Sequence, residues 1–147
     1  MSPLIFNVLL TLAVSSSFAA EKYTESTLSC IEQLTSPALG FEKAGEGYFS
    51  PDGEKIIFQG VPLGEEDYQI FTLDLKTREF VKITQDKGAC TCAFFRPDGQ
   101  KIIYAASPKK AEKHPPGVYK WDFTPYMNIY EANVDGSEPR LLTEGPA

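Results

Sequence analysis

The sequence predicts an all-β protein: β-propeller blades of four antiparallel strands, two complete, with one strand of a preceding blade. Three observations lead there. The phrase "YFSPDGEKIIF" at 48–58 returns as "FFRPDGQKIIY" at 94–104. A second phrase, "YQIFTLDLKTREFVKIT" at 68–84, returns in the same order as "MNIYEANVDGSEPRLLT" at 127–143. Past the first twenty residues no segment carries a helical period, and apolar residues alternate or run together as strands require. A catalytic loop is usually written once, so ordered recurrence points to repeat architecture before it points to chemistry.

The first twenty residues stand apart. "SPLIFNVLLTLAV" is apolar and gives way to "SSSFAA" and then to the polar "EKYTES". Ser17-Phe18-Ala19 is a small-x-small exit, so residues 1–19 read as a signal peptide, cut after Ala19. The run is shorter than the ~20 residues of a membrane span. No Lys or Arg precedes it, which leaves the amino terminus as the only positive charge there. The mature chain is then expected to be periplasmic or secreted, with no membrane span after removal of the signal. Residues 20–46 form an N-terminal segment, and the repeats come after it.

The first blade spans 47–84. Pro51, Asp52 and Gly53 are turn chemistry: Pro presets φ, Asp tolerates the next position, and Gly takes the positive φ that lets the chain fold back. "KIIFQG" is a β-rich apolar run suited to a strand covered on both sides. "QIFTLDL" alternates, with Ile70, Thr72 and Asp74 on one face and Phe71, Leu73 and Leu75 on the other. The turn "KTRE" leads to a closing strand ending at Ile83-Thr84. The second blade, 88–143, repeats each part: Pro97, Asp98 and Gly99, then "KIIYAA", "NIYEANV", "DGSEP" and Leu142-Thr143. Phe49 recurs as Phe95, and Ile70 recurs as Ile129 at a longer spacing. The extra length is an insertion between Tyr104 and Ile129, within the segment 107–128.

These phrases resemble the TolB-type propeller repeat. Its marks are an aromatic-Ser-Pro-Asp-Gly turn, a "KIIF"-like strand, an "IYxxDxxxG"-like strand and a Leu/Ile-Thr ending. Here they are Phe49 to Phe58, Ile70 to Leu75 and Ile83-Thr84, then Phe95 to Tyr104, Ile129 to Gly136 and Leu142-Thr143. The resemblance covers about Gly47 to Thr143. Arg96 departs from the usual Ser, and Leu75-Lys76-Thr77 stands where the second unit has Asp135-Gly136. Upstream, "CIEQLT" at 30–35 reproduces the Leu-Thr ending and reads as the outer strand of a preceding blade. The family resemblance implies a radial array exported to the bacterial periplasm and used for protein–protein contacts.

Composition narrows the function classes. The 147 residues are 42% hydrophobic and 23% charged with a net charge of -6, and the pI is near 4.8. Nucleic acid wants a basic footprint and an anionic membrane wants polybasic segments, so neither is an expected partner. Three cysteines make an odd count for a disulfide framework. On a regular strand Cys90 and Cys92 would share a face at ~6.6–6.8 Å between Cα atoms, the outer limit for a bridge. No second Cys pair or His pair completes a zinc site. All three, Cys30 included, are expected as free, buried thiols acting as small hydrophobes.

Catalytic chemistry is sparse. Asp52 and Asp98 suit local turn hydrogen bonding better than a metal. Glu65, Glu66 and Asp67 form an acidic loop without the ligand spacing of a calcium ring. His114 is the only histidine, and there is no G-x-S-x-G elbow or glycine-rich phosphate cradle. No catalytic residue, cofactor or metal is expected.

The insertion is the exception. Lys109, Lys110, Lys113 and His114 gather in its first half, and Tyr119, Trp121 and Phe123 alternate with Lys120 and Asp122 in its second. One reading has the aromatics anchor a long loop onto its blade. The other makes Lys109, Lys110, His114, Tyr119, Trp121 and Phe123 a recognition loop, with aromatic anchors and a basic rim.

The expected function is a non-enzymatic exported scaffold binding a protein, peptide or other ligand. The alternative is the substrate-filtering propeller portion of a larger serine peptidase of the prolyl-oligopeptidase type, and a third reading is a purely structural envelope protein. A downstream G-x-S-x-G in the reading frame would favour the peptidase. Closed propellers take at least four blades of ~40–45 residues. Two blades cannot close a ring, so further C-terminal blades or self-association are expected partners as well.

Overall fold

The computed structural model describes residues 27–85, 88–110 and 126–144. The chain divides into two compact units, Met1–Glu32 and Gln33–Ala147. All described strands belong to the second. The signal segment expected at 1–19 lies outside the described residues.

Among the described residues eight strands form two antiparallel meanders of four. The first sheet runs β1 (Phe41–Phe49), β2 (Lys55–Pro62), β3 (Gln69–Asp74) and β4 (Phe80–Lys82). The second runs β5 (Cys90–Phe95), β6 (Lys101–Ala106), β7 (Asn128–Asn133) and β8 (Arg140–Leu141). β1 begins at Phe41, ahead of Gly47, where the first blade was expected to start. The two "PDG" turns join the first strand of each sheet to its second, with Gly53 at φ 74° and Gly99 at φ 68°. Those angles favour glycine, since a Cβ there crowds the following carbonyl.

The repeat extends to a feature that the sequence does not announce. Each inner strand carries a β-bulge, between Gly45 and Tyr48 in β1 and between Thr91 and Phe94 in β5. Glu46 (φ 51°) and Cys92 (φ 53°) sit inside them, at equivalent places in the repeat. The extra residue re-aims the rest of the strand, and the Tyr48 and Phe94 rings meet at 4.2 Å.

The bulge also corrects the cysteine expectation. Cys90 is buried, but Cys92 and Cys30 are exposed, and none of the three is in a disulfide. Alternation across a strand holds only while the pleat is regular, and the bulge breaks it between Thr91 and Phe94. A second correction concerns "CIEQLT". Residues 31–36 form no ladder. A strand exists by virtue of a paired neighbour, and among the described residues none pairs with this segment. Leu34 instead packs against an aromatic cluster on the first sheet.

Two apolar layers hold the array. Ile57, Ile70 and Ile83 of the first sheet meet Ala93, Ile102, Tyr104 and Ala132 of the second. On the other side of the first sheet lie Phe41, Phe58, Phe71 and Leu73. β3 is buried on both sides, and its two faces divide as the alternation predicted, with Ile70 toward the second sheet and Phe71 and Leu73 away from it. Each fully buried Ile is worth about 1.5–3 kcal/mol, so the seam between sheets is the main stabilising contact. The sheets do not close into a ring.

Candidate functional site

The meander sends its connections to alternate ends, so the molecule has two loop-bearing ends. One end carries the "PDG" turns and the turns after β3 and β7. The other carries the β2–β3 connection, the β6–β7 insertion and the link between sheets.

At the turn end Asp52, Asp74 and Asp98 are used locally. Asp52 Oδ1 accepts the Ser50 hydroxyl at 2.6 Å and the Glu54 amide at 3.0 Å. The Ser50 hydrogen bond, then the Glu54 amide, hold its carboxyl below the usual carboxylate range. Asp98 accepts the Gln100 amide at 3.0 Å and pairs with Arg96. Lys55 Nζ donates to Asp74 at 2.8 Å, and the repeat returns the contact as Lys101 to Asn133 at 2.7 Å. Asp74 also accepts the Lys76 and Thr77 amides. Among the described residues no cluster of three or more His, Cys, Asp or Glu could hold a metal ion.

The opposite end has a polar floor. Thr84 Oγ1 accepts the Ile70 amide at 3.0 Å and donates to Gln69 Oε1 at 2.8 Å. Gln69 Nε2 donates to the Gly88 carbonyl at 3.0 Å. The Ser107 amide donates to the Ala89 carbonyl, and its hydroxyl donates to the Lys109 carbonyl. Gln69, Thr84 and Ser107 are all buried. The network ties the link between sheets to the root of the insertion. Sequence reasoning saw the closing threonines recur but not their job. Thr143 Oγ1 accepts the Ile129 amide at 2.9 Å, which repeats the Thr84–Ile70 bond of the first sheet.

On that floor stand Lys109 and Lys110. Lys109 Nζ lies 3.8 Å over the Tyr126 ring, which brings together the two ends of the described insertion. Lys110 Nζ reaches Asp67 at 3.9 Å, which sets Lys110 beside the acidic loop of the first sheet. Lys82 and Glu65 pair nearby at 3.6 Å. The structure thus joins Lys109, Lys110 and the 65–67 loop, and adds Tyr126. His114, Tyr119, Trp121 and Phe123 lie outside the described residues.

No family model matches the chain, and no curated protein matches it either. Solved structures do. A protein assigned as a TolB from Agrobacterium tumefaciens superposes with a TM-score of 0.53 at 18% identity, over 69% of this chain and 33% of its own. TolB from Acinetobacter baumannii gives 0.50 at 25% identity, over 71% and 22%. Over this segment the chain resembles TolB-type propellers. It spans a third or less of the length of those proteins. The tricorn protease shares the same blade geometry, with a TM-score of 0.53 at 11% identity over 71% of this chain and 13% of its own. That likeness concerns the fold alone.

Proposed function

We propose that the protein is a TolB-like, non-enzymatic propeller scaffold of the periplasm or cell envelope, which binds a protein or peptide through the loop end of its sheets. The observation that carries this reading is the seating of Lys109 and Lys110. A rigid buried network roots them at the mouth of a long insertion, between the Tyr126 ring and Asp67. Loops on a rigid frame are where binding residues concentrate. The sequence of the insertion adds Tyr119, Trp121 and Phe123 as proposed anchors and His114 to the proposed basic rim, and aromatic anchors with a charged rim suit peptide recognition. Proteins with TolB in their names share the fold, and so does a protease, so the fold supports a propeller scaffold, and the binding role rests on the loop end.

The test is selection of a random dodecapeptide display library on the immobilised wild-type chain. Peptides enriched on wild type should lose at least about tenfold in affinity against Trp121→Ala and against Lys109→Ala/Lys110→Ala, with unchanged thermal melting. Equal affinity for both variants would remove the loop from the reading, and loss of folding in Trp121→Ala would make its ring a packing anchor. Intact mass of the exported product should correspond to a chain starting near Ala20; an uncleaved cytoplasmic product opposes the periplasmic assignment.

A further inference from the structure

One repeat position at the loop end is filled by unlike residues. The strand pair Ala44–Gly60 of the first sheet recurs as Cys90–Ala106 in the second. Three residues beyond Gly60 and Ala106 stand Leu63 and Lys109, at the spacing that relates Pro51 to Pro97. Both are exposed. Equivalent places in neighbouring sheets thus set an apolar and a cationic side chain side by side.

Each is held through its backbone and leaves its side chain to solvent. The Leu63 amide donates to the Gly40 carbonyl at 2.9 Å, and the Glu65 amide to the Pro62 carbonyl at 3.0 Å. The first bond brings the turn Pro37–Leu39 alongside, so Leu39, 51% exposed, flanks Leu63, 53% exposed. In the second sheet the Ser107 hydroxyl donates to the Lys109 carbonyl at 2.7 Å. Gly88 lies against that carbonyl so closely that a Cβ there would clash with it. A frame fixed in this way costs a ligand little ordering.

The charge on Lys109 is not neutralised. Its ammonium lies 3.8 Å over the Tyr126 ring, which holds a cation without cancelling it. Among the described residues no carboxylate pairs with it, whereas Lys82 has Glu65 at 3.6 Å and Lys110 has Asp67 at 3.9 Å. The Lys110 pair is longer than a hydrogen bond, which leaves its N–H donors to a closer acceptor. The net charge of -6 does not oppose an acid here. Screening acts within about 8 Å at physiological salt, so the nearest charges decide.

We propose that the loop end takes an extended peptide that is acidic at one point and apolar at another. An Asp or Glu side chain sits on Lys109 and Lys110. A large apolar side chain three or four residues away sits on Leu39 and Leu63. Packed sheets lie about 10 Å apart and an extended chain advances about 3.3 Å per residue, which sets that separation. This rule rests on the peptide-binding reading above and deepens it, since the two leucines lie outside the insertion.

The experiment repeats the dodecapeptide selection on three immobilised chains: wild type, Lys109→Glu/Lys110→Glu, and Leu63→Ser. Peptides enriched on wild type should carry Asp or Glu three or four residues from Leu, Ile, Phe or Trp. Selection on the charge-reversed chain should put Lys or Arg in the acid's place at the same separation. Selection on Leu63→Ser should keep the acid and lose the apolar preference. Wild-type binders are then synthesised with amidated C-termini, so that only side-chain carboxylates count. Replacing their acid by its amide, or their apolar residue by Ser, should weaken binding at least about threefold in fluorescence anisotropy. These peptide-side changes leave the protein intact and decide the case even where a variant fails to fold. Enriched peptides without the pairing, or with basic residues selected by wild type, overturn the acidic–apolar rule alone. No enrichment on wild type overturns it together with the peptide-binding reading.

Discussion

Gly53 shows how a single residue fixes the geometry of a repeat. The Gly53 amide donates to the Ser50 carbonyl at 2.9 Å, and its φ of 74° then sends the chain back along β1. Gly53→Val should destabilise the chain by about 1–2 kcal/mol or more, read as a lowered urea midpoint. Asp52→Asn should cost much less, since Asn supports the same turn. Asp74 acts through charge instead. The Lys55 hydrogen bond, followed by the Thr77 amide, holds its carboxyl well below the usual carboxylate range. A depressed folded pKa gives stability that is full above the unfolded value near 3.9 and is lost as pH falls through the folded value. Glu131, held down first by Arg140, and Asp135, held down first by Ser137, shift in the same direction and add to it. Lys55 is raised by the Asp74 hydrogen bond, so its contribution is full below about pH 10.4 and lost as pH climbs further. The urea midpoint should therefore fall below about pH 4, and Asp74→Asn should make that fall shallower. Parallel acid limbs for the two proteins would count against the assignment.

At the scale of the element, the closing threonines make the clearest comparison. Thr84 and Thr143 play one part in two environments. Thr84 is buried, and its hydroxyl serves both the Ile70 amide and the Gln69 side chain. Thr143 makes the matching bond to Ile129 in an exposed setting. Removing a partner from a buried polar group costs about 1–3 kcal/mol, and water takes over at an exposed one. Thr84→Val should lower stability by that amount, whereas Thr143→Val should fall within about 0.5 kcal/mol of wild type. Equal losses in chemical denaturation would mean that the β8 edge is covered in solution. The inner strands make a related point. Glu46 and Cys92 occupy equivalent bulges with unlike side chains, so bulge formation depends on the strand's place in the sheet more than on the residue at the bulge.

For the whole molecule, stability resides in the seam between sheets. Stacked repeats draw most of their stability from nearest-neighbour burial. Ile57→Ala should cost about 2–5 kcal/mol, because a fully buried side chain leaves a cavity. Ile103→Ala, at the equivalent position on the outer face of the second sheet, should cost under about 1 kcal/mol. If the two truncations shift the unfolding midpoint equally, Ile103 is already covered. The sequence by itself determined the all-β class, the blade unit, the two "PDG" turns and the site of the insertion. Those rest on short-range rules of turn chemistry, alternation and self-similarity, each readable within a short stretch of chain. Only the tertiary structure decided that Ile57 is buried while Ile103 is open, since identical residues differ there through what packs on them. It also decided that Phe41 and Leu34 pack over the side where a preceding strand had been expected. A bulge then turned Cys92 away from Cys90, and the fold placed Lys110 beside Asp67. Burial and charge pairing between residues far apart in the chain are set by the path of the backbone, which no local pattern encodes.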